Sequence, residues 1–62
     1  MFQEYDVVKS IRHLSEKVLK GTIGTILMVF DSSPNQYEVE FVDEENNTLE
    51  ILTVIEGDIK RK

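Results

Sequence analysis

Tyr37-Glu38-Val39-Glu40-Phe41-Val42 is the stretch on which the fold class turns. Strict alternation places Tyr37, Val39 and Phe41 on one face and Glu38 and Glu40 on the other, because successive side chains of an extended chain point to opposite sides. The segment therefore reads as a half-buried strand. Toward the amino terminus lies Gly24-Thr25-Ile26-Leu27-Met28-Val29-Phe30, rich in β-branched and apolar residues. The intervening Asp31-Ser32-Ser33-Pro34-Asn35-Gln36 consists of turn formers, so the two runs read as a hairpin with a long loop.

Toward the carboxyl terminus, Asp43-Glu44-Glu45-Asn46-Asn47 reads as a second turn, since asparagine tolerates the left-handed conformation that tight reversals require. Thr48-Leu49-Glu50-Ile51-Leu52-Thr53-Val54-Ile55 follows as a third strand. Its alternation is imperfect: both faces carry apolar residues, so part of it is covered on both sides or exposed for a partner. Glu56-Gly57-Asp58 breaks the run, and Ile59-Lys60-Arg61 makes a short last strand anchored by Ile59. The first twenty residues admit two readings. Val8, Ile11, Leu14 and Val18 recur at helical spacing, with Asp6 as a cap and Lys20-Gly21 as a stop. Against a helix, Tyr5-Asp6-Val7-Val8 is β-prone, and a helix here would leave the sheet one strand poorer.

The chain has 62 residues and no cysteine. A domain of this length removes only roughly 60% of its unfolded surface from water. Its stability is expected on the order of 3–5 kcal/mol, with neither disulfide nor metal to support it, and a homodimer is one way to bury more surface. A chain without thiols suits a reducing compartment, and Met1-Phe2-Gln3-Glu4-Tyr5-Asp6 has neither the basic nor the apolar region of a secretory signal, which gives a cytoplasmic expectation. The longest apolar run, Ile26 to Phe30, is far short of the roughly 20 residues of a membrane span.

Net charge is −5, and its placement says more than its sum. From Gly21 to Ile59 there is no lysine or arginine, while Asp31, Glu38, Glu40, Asp43, Glu44, Glu45, Glu50, Glu56 and Asp58 all fall there. The cations sit at the two ends: Lys9, Arg12, Lys17 and Lys20, then Lys60, Arg61 and Lys62. Affinity for phosphates comes from clustered lysine and arginine, so the central segment argues against nucleic acid as a partner. A basic or amphipathic protein is the partner class this charge pattern suits.

No catalytic constellation stands out. The only histidine, His13, lies in the expected first loop, and Ser10, Ser15, Ser32 and Ser33 occupy turn or edge contexts without an evident base. Glu38 and Glu40 read as the solvent face of an amphipathic strand, since acid–base work by paired carboxylates needs a cleft that shifts one pKa. Asp43, Glu45 and Asn47 alternate as calcium ligands do, but Thr48 stands where an EF-hand loop needs glycine and Val54 where it needs glutamate. No metal, cofactor or catalytic residue is assigned. If Ile26, Met28, Phe30, Leu49 and Ile51 face inward, then Leu27, Val29, Leu52 and Val54 face outward and leave an apolar patch, the usual mark of an interface. These four, with Glu38, Glu40, Glu44 and Glu45, are the candidate partner-binding residues.

Taken together, Tyr5-Asp6-Val7-Val8, Leu19-Lys20-Gly21-Thr22-Ile23-Gly24-Thr25-Ile26, Tyr37-Glu38-Val39-Glu40-Phe41-Val42, Leu52-Thr53-Val54 and Asp58-Ile59-Lys60 form an ordered pattern. The pattern resembles the bacterial family catalogued as domain of unknown function 4926, over nearly the whole chain. More loosely, the glycine-containing turn leading into a strand is similar to the KOW-type half of SH3-like barrels. The resemblance implies an all-β fold, a small five-stranded, strongly bent antiparallel SH3-like barrel forming one domain over residues 1–62. Its strands would lie near residues 5–10, 24–31, 37–43, 48–54 and 58–61, which turns the first segment toward strand plus loop. Ser15 stands where the family often has proline, and Asn46-Asn47 replaces a glycine-bearing turn. Gly21 and Gly24 bracket a turn needing positive φ or close backbone approach.

The resemblance brings a fold and no activity. Small members of the family look like components of two-gene cassettes, which implies an antitoxin or immunity role for a non-catalytic interaction module. The alternative expectation is a KOW-like nucleic-acid-binding domain, touching RNA through the turn around Thr22-Ile23 and the basic ends.

Overall fold

The computed structural model describes residues 1–31 and 35–62. The strands are β1 (Val7–Ser10), β2 (Ile23–Val29), β3 (Gln36–Val42), β4 (Thr48–Ile55) and β5 (Ile59–Arg61), with a 3₁₀ turn, Glu56–Asp58, between β4 and β5. They form one antiparallel five-stranded sheet in the order β4-β3-β2-β1-β5. The all-β, five-stranded expectation holds. Of the first hairpin loop, Ser32, Ser33 and Pro34 lie outside the described residues. No helix among the described residues is long and apolar enough to cross a membrane.

Every strand contributes to one core: Val8 from β1, Ile26 from β2, Tyr37, Val39 and Phe41 from β3, Val54 from β4 and Ile59 from β5, all 4% exposed or less. Among the described residues no helix or second sheet covers these side chains, so the sheet itself bends around them into a barrel-like shape, with Phe2 and Val18 completing the core. Burying each such side chain stabilises the fold by about 1.5–3 kcal/mol. Tyr37, Val39 and Phe41 are buried as the alternation of β3 predicts.

The bend is built from two bulges, and these correct the inward and outward assignment of β2 and β4. On β2, Ile26 pairs with Val39 and Met28 with Glu38, so Leu27 and Met28 together oppose one residue. The extra residue reverses the phase of everything after it. Val29 then pairs with the buried Tyr37 and packs against the core, while Met28 turns out, 43% exposed. On β4, Thr48 pairs with Val42 and Glu50 with Phe41, making Leu49 the extra residue. Beyond it Leu52 packs against the core and Val54 is buried, whereas Ile51 is 49% exposed. Val29, Leu52 and Val54 are therefore not outward residues, and Met28 and Ile51 are not inward ones.

The helical spacing in the first segment is not a helix: Val8 and Val18 are buried and Leu14 packs against the core, while Ile11 is exposed. After β1 the chain runs as an irregular loop through residues 11–22, and it tucks Val18 fully into the core with Leu14 against it. Ser15 organises the loop: its Oγ accepts from the backbone N–H groups of Lys17 and Val18, at 3.2 and 3.1 Å, and donates to Glu50 Oε1 at 2.6 Å. His13 Nδ1 accepts the Lys20 N–H at 2.9 Å, and the buried Ser10 Oγ donates to Leu19 O at 2.7 Å. Gly21 ends the loop at φ +92°, a conformation that favours glycine. Gly24 serves differently: a Cβ there would stand 2.6 Å from Val39 Cγ1 and 2.8 Å from Phe41 Cδ1, so β2 crosses β3 at a distance only glycine permits.

Candidate protein-binding face

The pairing registers align the outward side chains in rows across β1 to β4. One row runs Lys9, Ile23, Val42, Thr48 and the next Val7, Thr25, Glu40, Ile51. A third holds Met28, Glu38 and Thr53, and Gln36 opposes Ile55 beyond it. Val7, Met28, Ile51 and Ile55 are each 43–49% exposed. They share the outer side of the sheet with Glu38 and Glu40, so the face combines aliphatic surface with carboxylate charge.

Hydroxyls hold those carboxylates in place. Thr53 Oγ1 donates to Glu38 Oε1 at 2.8 Å, and Thr48 Oγ1 donates to Glu40 Oε2. Each is a cross-strand contact between β4 and β3. Neither glutamate has a lysine or arginine within ion-pair distance among the described residues, where the pairs are Arg12–Asp58, Arg61–Asp6 and the amino terminus with Glu56. The negative charge of the face is thus oriented but not neutralised.

Of the candidate residues read from the sequence, Glu38, Glu40 and Leu27 lie on this face, Leu27 half-buried through its bulge. Glu44 and Glu45 are exposed at the tip of the β3–β4 turn, adjoining it. That turn is fixed by Asp43, whose Oδ1 accepts from the backbone of Glu45 and of Asn47, each at 2.9 Å, while Asn46 takes φ 68°. These donors, chiefly Asn47, hold the Asp43 carboxyl below the usual carboxylate range. Val29, Leu52 and Val54 lie on the other side of the sheet. Met28, Ile51, Ile55 and Val7 are the face residues that alternation alone did not identify, because a bulge leaves no distinct mark in an apolar run.

Beside the face, Leu19, Ile23, Val42 and Leu49 line a shallow recess of about 330 Å³, with Lys17 and Glu44 at its edges. The cations gather on the other flank of the sheet: Lys9 of β1 pairs directly with Lys60 of β5, and Val8 with Arg61. Glu38 and Glu40 thus lie on β3, and Lys9, Lys60 and Arg61 on β1 and β5. No curated protein and no solved structure matches the chain. Residues 4–61 match the family described as Domain of unknown function (DUF4926), and the chain belongs to that family.

Proposed function

We propose that this protein is a non-catalytic interaction module that binds a basic or amphipathic protein through the outer face of β2, β3 and β4. The observation that carries the reading is the combination of exposed Met28, Ile51 and Ile55 with Glu38 and Glu40, whose carboxylates are positioned by threonines and lack a cationic partner among the described residues. Aliphatic surface supplies affinity on burial, and fixed charge steers an oppositely charged partner. The engagement of Ser10, Ser15 and His13 in loop hydrogen bonds supports the non-catalytic part of the reading.

In its sharper form the module is the cytoplasmic antitoxin or immunity partner of a two-gene cassette, an SH3-like barrel whose carboxylates occupy the cationic site of a nuclease. Neutralising Glu38, Glu40, Glu44 and Glu45 to glutamine should then slow association with that partner by about tenfold or more at low salt and flatten its salt dependence. Unchanged association kinetics would refute it.

The pairing of Lys9 with Lys60, next to Arg61 and Lys62, favours a second reading, a KOW-like domain that contacts RNA along its β5 flank. A gel shift at moderate salt separates the two: retardation at micromolar protein supports RNA binding, and its absence removes it.

A further inference from the structure

The two edges of the sheet are unequal. β5 is only Ile59–Arg61 and carries Lys60 and Arg61; short length and cationic side chains are devices that keep an edge from pairing with another chain. β4 spans Thr48–Ile55, with no lysine and no proline, and Glu50 is its single charge. Such an edge is a template for another strand.

Two contacts fix which backbone groups of β4 face outward. The Glu56 N–H donates to Asn35 O at 2.8 Å, toward β3, while the Ile55 N–H donates to Asp58 Oδ2 at 3.2 Å, away from it. Alternate residues of an antiparallel strand share a direction, so Ile51, Thr53 and Ile55 present N–H and C=O to the open edge. Apart from that Ile55 bond, these groups have no protein partner among the described residues.

We propose that β4 pairs antiparallel with β4 of a second copy of this chain about a two-fold axis, joining two sheets into one. With outward groups on Ile51 and Thr53, the register of greatest overlap centres on Leu52. Ile51 then exchanges backbone hydrogen bonds with the partner's Thr53, and Thr53 with the partner's Ile51. Leu52 meets the partner's Leu52, and Ile55 meets the partner's Leu49. Glu50, which accepts from Ser15 Oγ, falls opposite the partner's Val54. Everything else across the seam is aliphatic or threonine.

This self-complementarity selects a second copy over a foreign strand. The assembly is isologous and closes on itself, so it stops at a dimer. It uses the edge of β4 and leaves Glu38 and Glu40 of β3 on the open face.

Light scattering coupled to sizing, with amide hydrogen exchange across a concentration series, tests the proposal. The expected result is the mass of two 7.2 kDa chains at high micromolar concentration, with the Ile51 and Thr53 amides protected at least tenfold more than on dilution. Thr53→Pro removes an outward N–H without touching the β3 ladder and should give a folded monomer. Ile51→Lys, an edge cation on an exposed site, should do the same. A wild-type monomer at millimolar concentration, or a dimer whose Ile51 and Thr53 amides exchange freely, would overturn it.

Discussion

Single residues decide how closely the strands approach and how the ends of the barrel are tied. Gly24 permits β2 to lie against Val39 and Phe41, so Gly24→Ala must push those buried side chains aside. The expected cost is about 1–3 kcal/mol, a large part of the stability of so small a domain, and urea unfolding monitored by circular dichroism measures it. Tyr37 ties the strand core to the chain ends: its hydroxyl donates to Glu56 Oε1 at 2.6 Å and accepts the Phe2 N–H at 3.2 Å, while its ring packs edge-on against Phe2.

These contacts also set a pH window. Burial, then the Glu56 contact, pushes the Tyr37 phenol up, and the Tyr37 hydroxyl, then the terminal ammonium, holds Glu56 down, as the turn amides hold Asp43. A depressed carboxyl stabilises the fold fully above the ordinary carboxylate range, and that contribution is lost as pH falls through it. A raised phenol stabilises fully below the ordinary phenol range and loses its contribution as pH climbs past it. Urea midpoints should therefore be flat near neutrality and fall on both sides. Tyr37→Phe should lower the unfolding free energy at neutral pH by about 1 kcal/mol and remove the alkaline limb attributable to this phenol.

At the scale of elements, the hairpins, the turn at Asn46 and the alternation of β3 were all legible in the sequence, because each is a local pattern with a local cause. The phases of β2 and β4 were not. Leu27 and Leu49 are bulge residues within apolar runs, and nothing local distinguishes an extra leucine from a paired one. The candidate face was accordingly half legible: the carboxylates of β3 were placed correctly, and the aliphatic residues around them were shifted by one. The loop of residues 11–22 misleads by spacing for a related reason, since Leu14 and Val18 recur at helical intervals yet reach the core from an irregular chain held by Ser15. Val18→Ala should cost about 1–3 kcal/mol in the same unfolding assay. Ser15→Ala should cost about 1–2 kcal/mol and raise hydrogen exchange at the Val18 amide.

At the scale of the molecule, one curved sheet does the work of two layers and so leaves a second, outward surface. On it the carboxylates of Glu38 and Glu40 are flanked by the exposed side chains of Met28, Ile51 and Ile55. The central claim is that the outer face of β2 to β4 is where a partner binds. The most direct measurement compares, by quantitative mass spectrometry, the proteins retained from the native host by the wild-type chain and by Met28→Thr/Ile51→Thr, both confirmed folded. At least one protein should be retained by the wild type and depleted tenfold or more by the double variant, a loss of about 1.4 kcal/mol in binding. An identical set retained by both would contradict it.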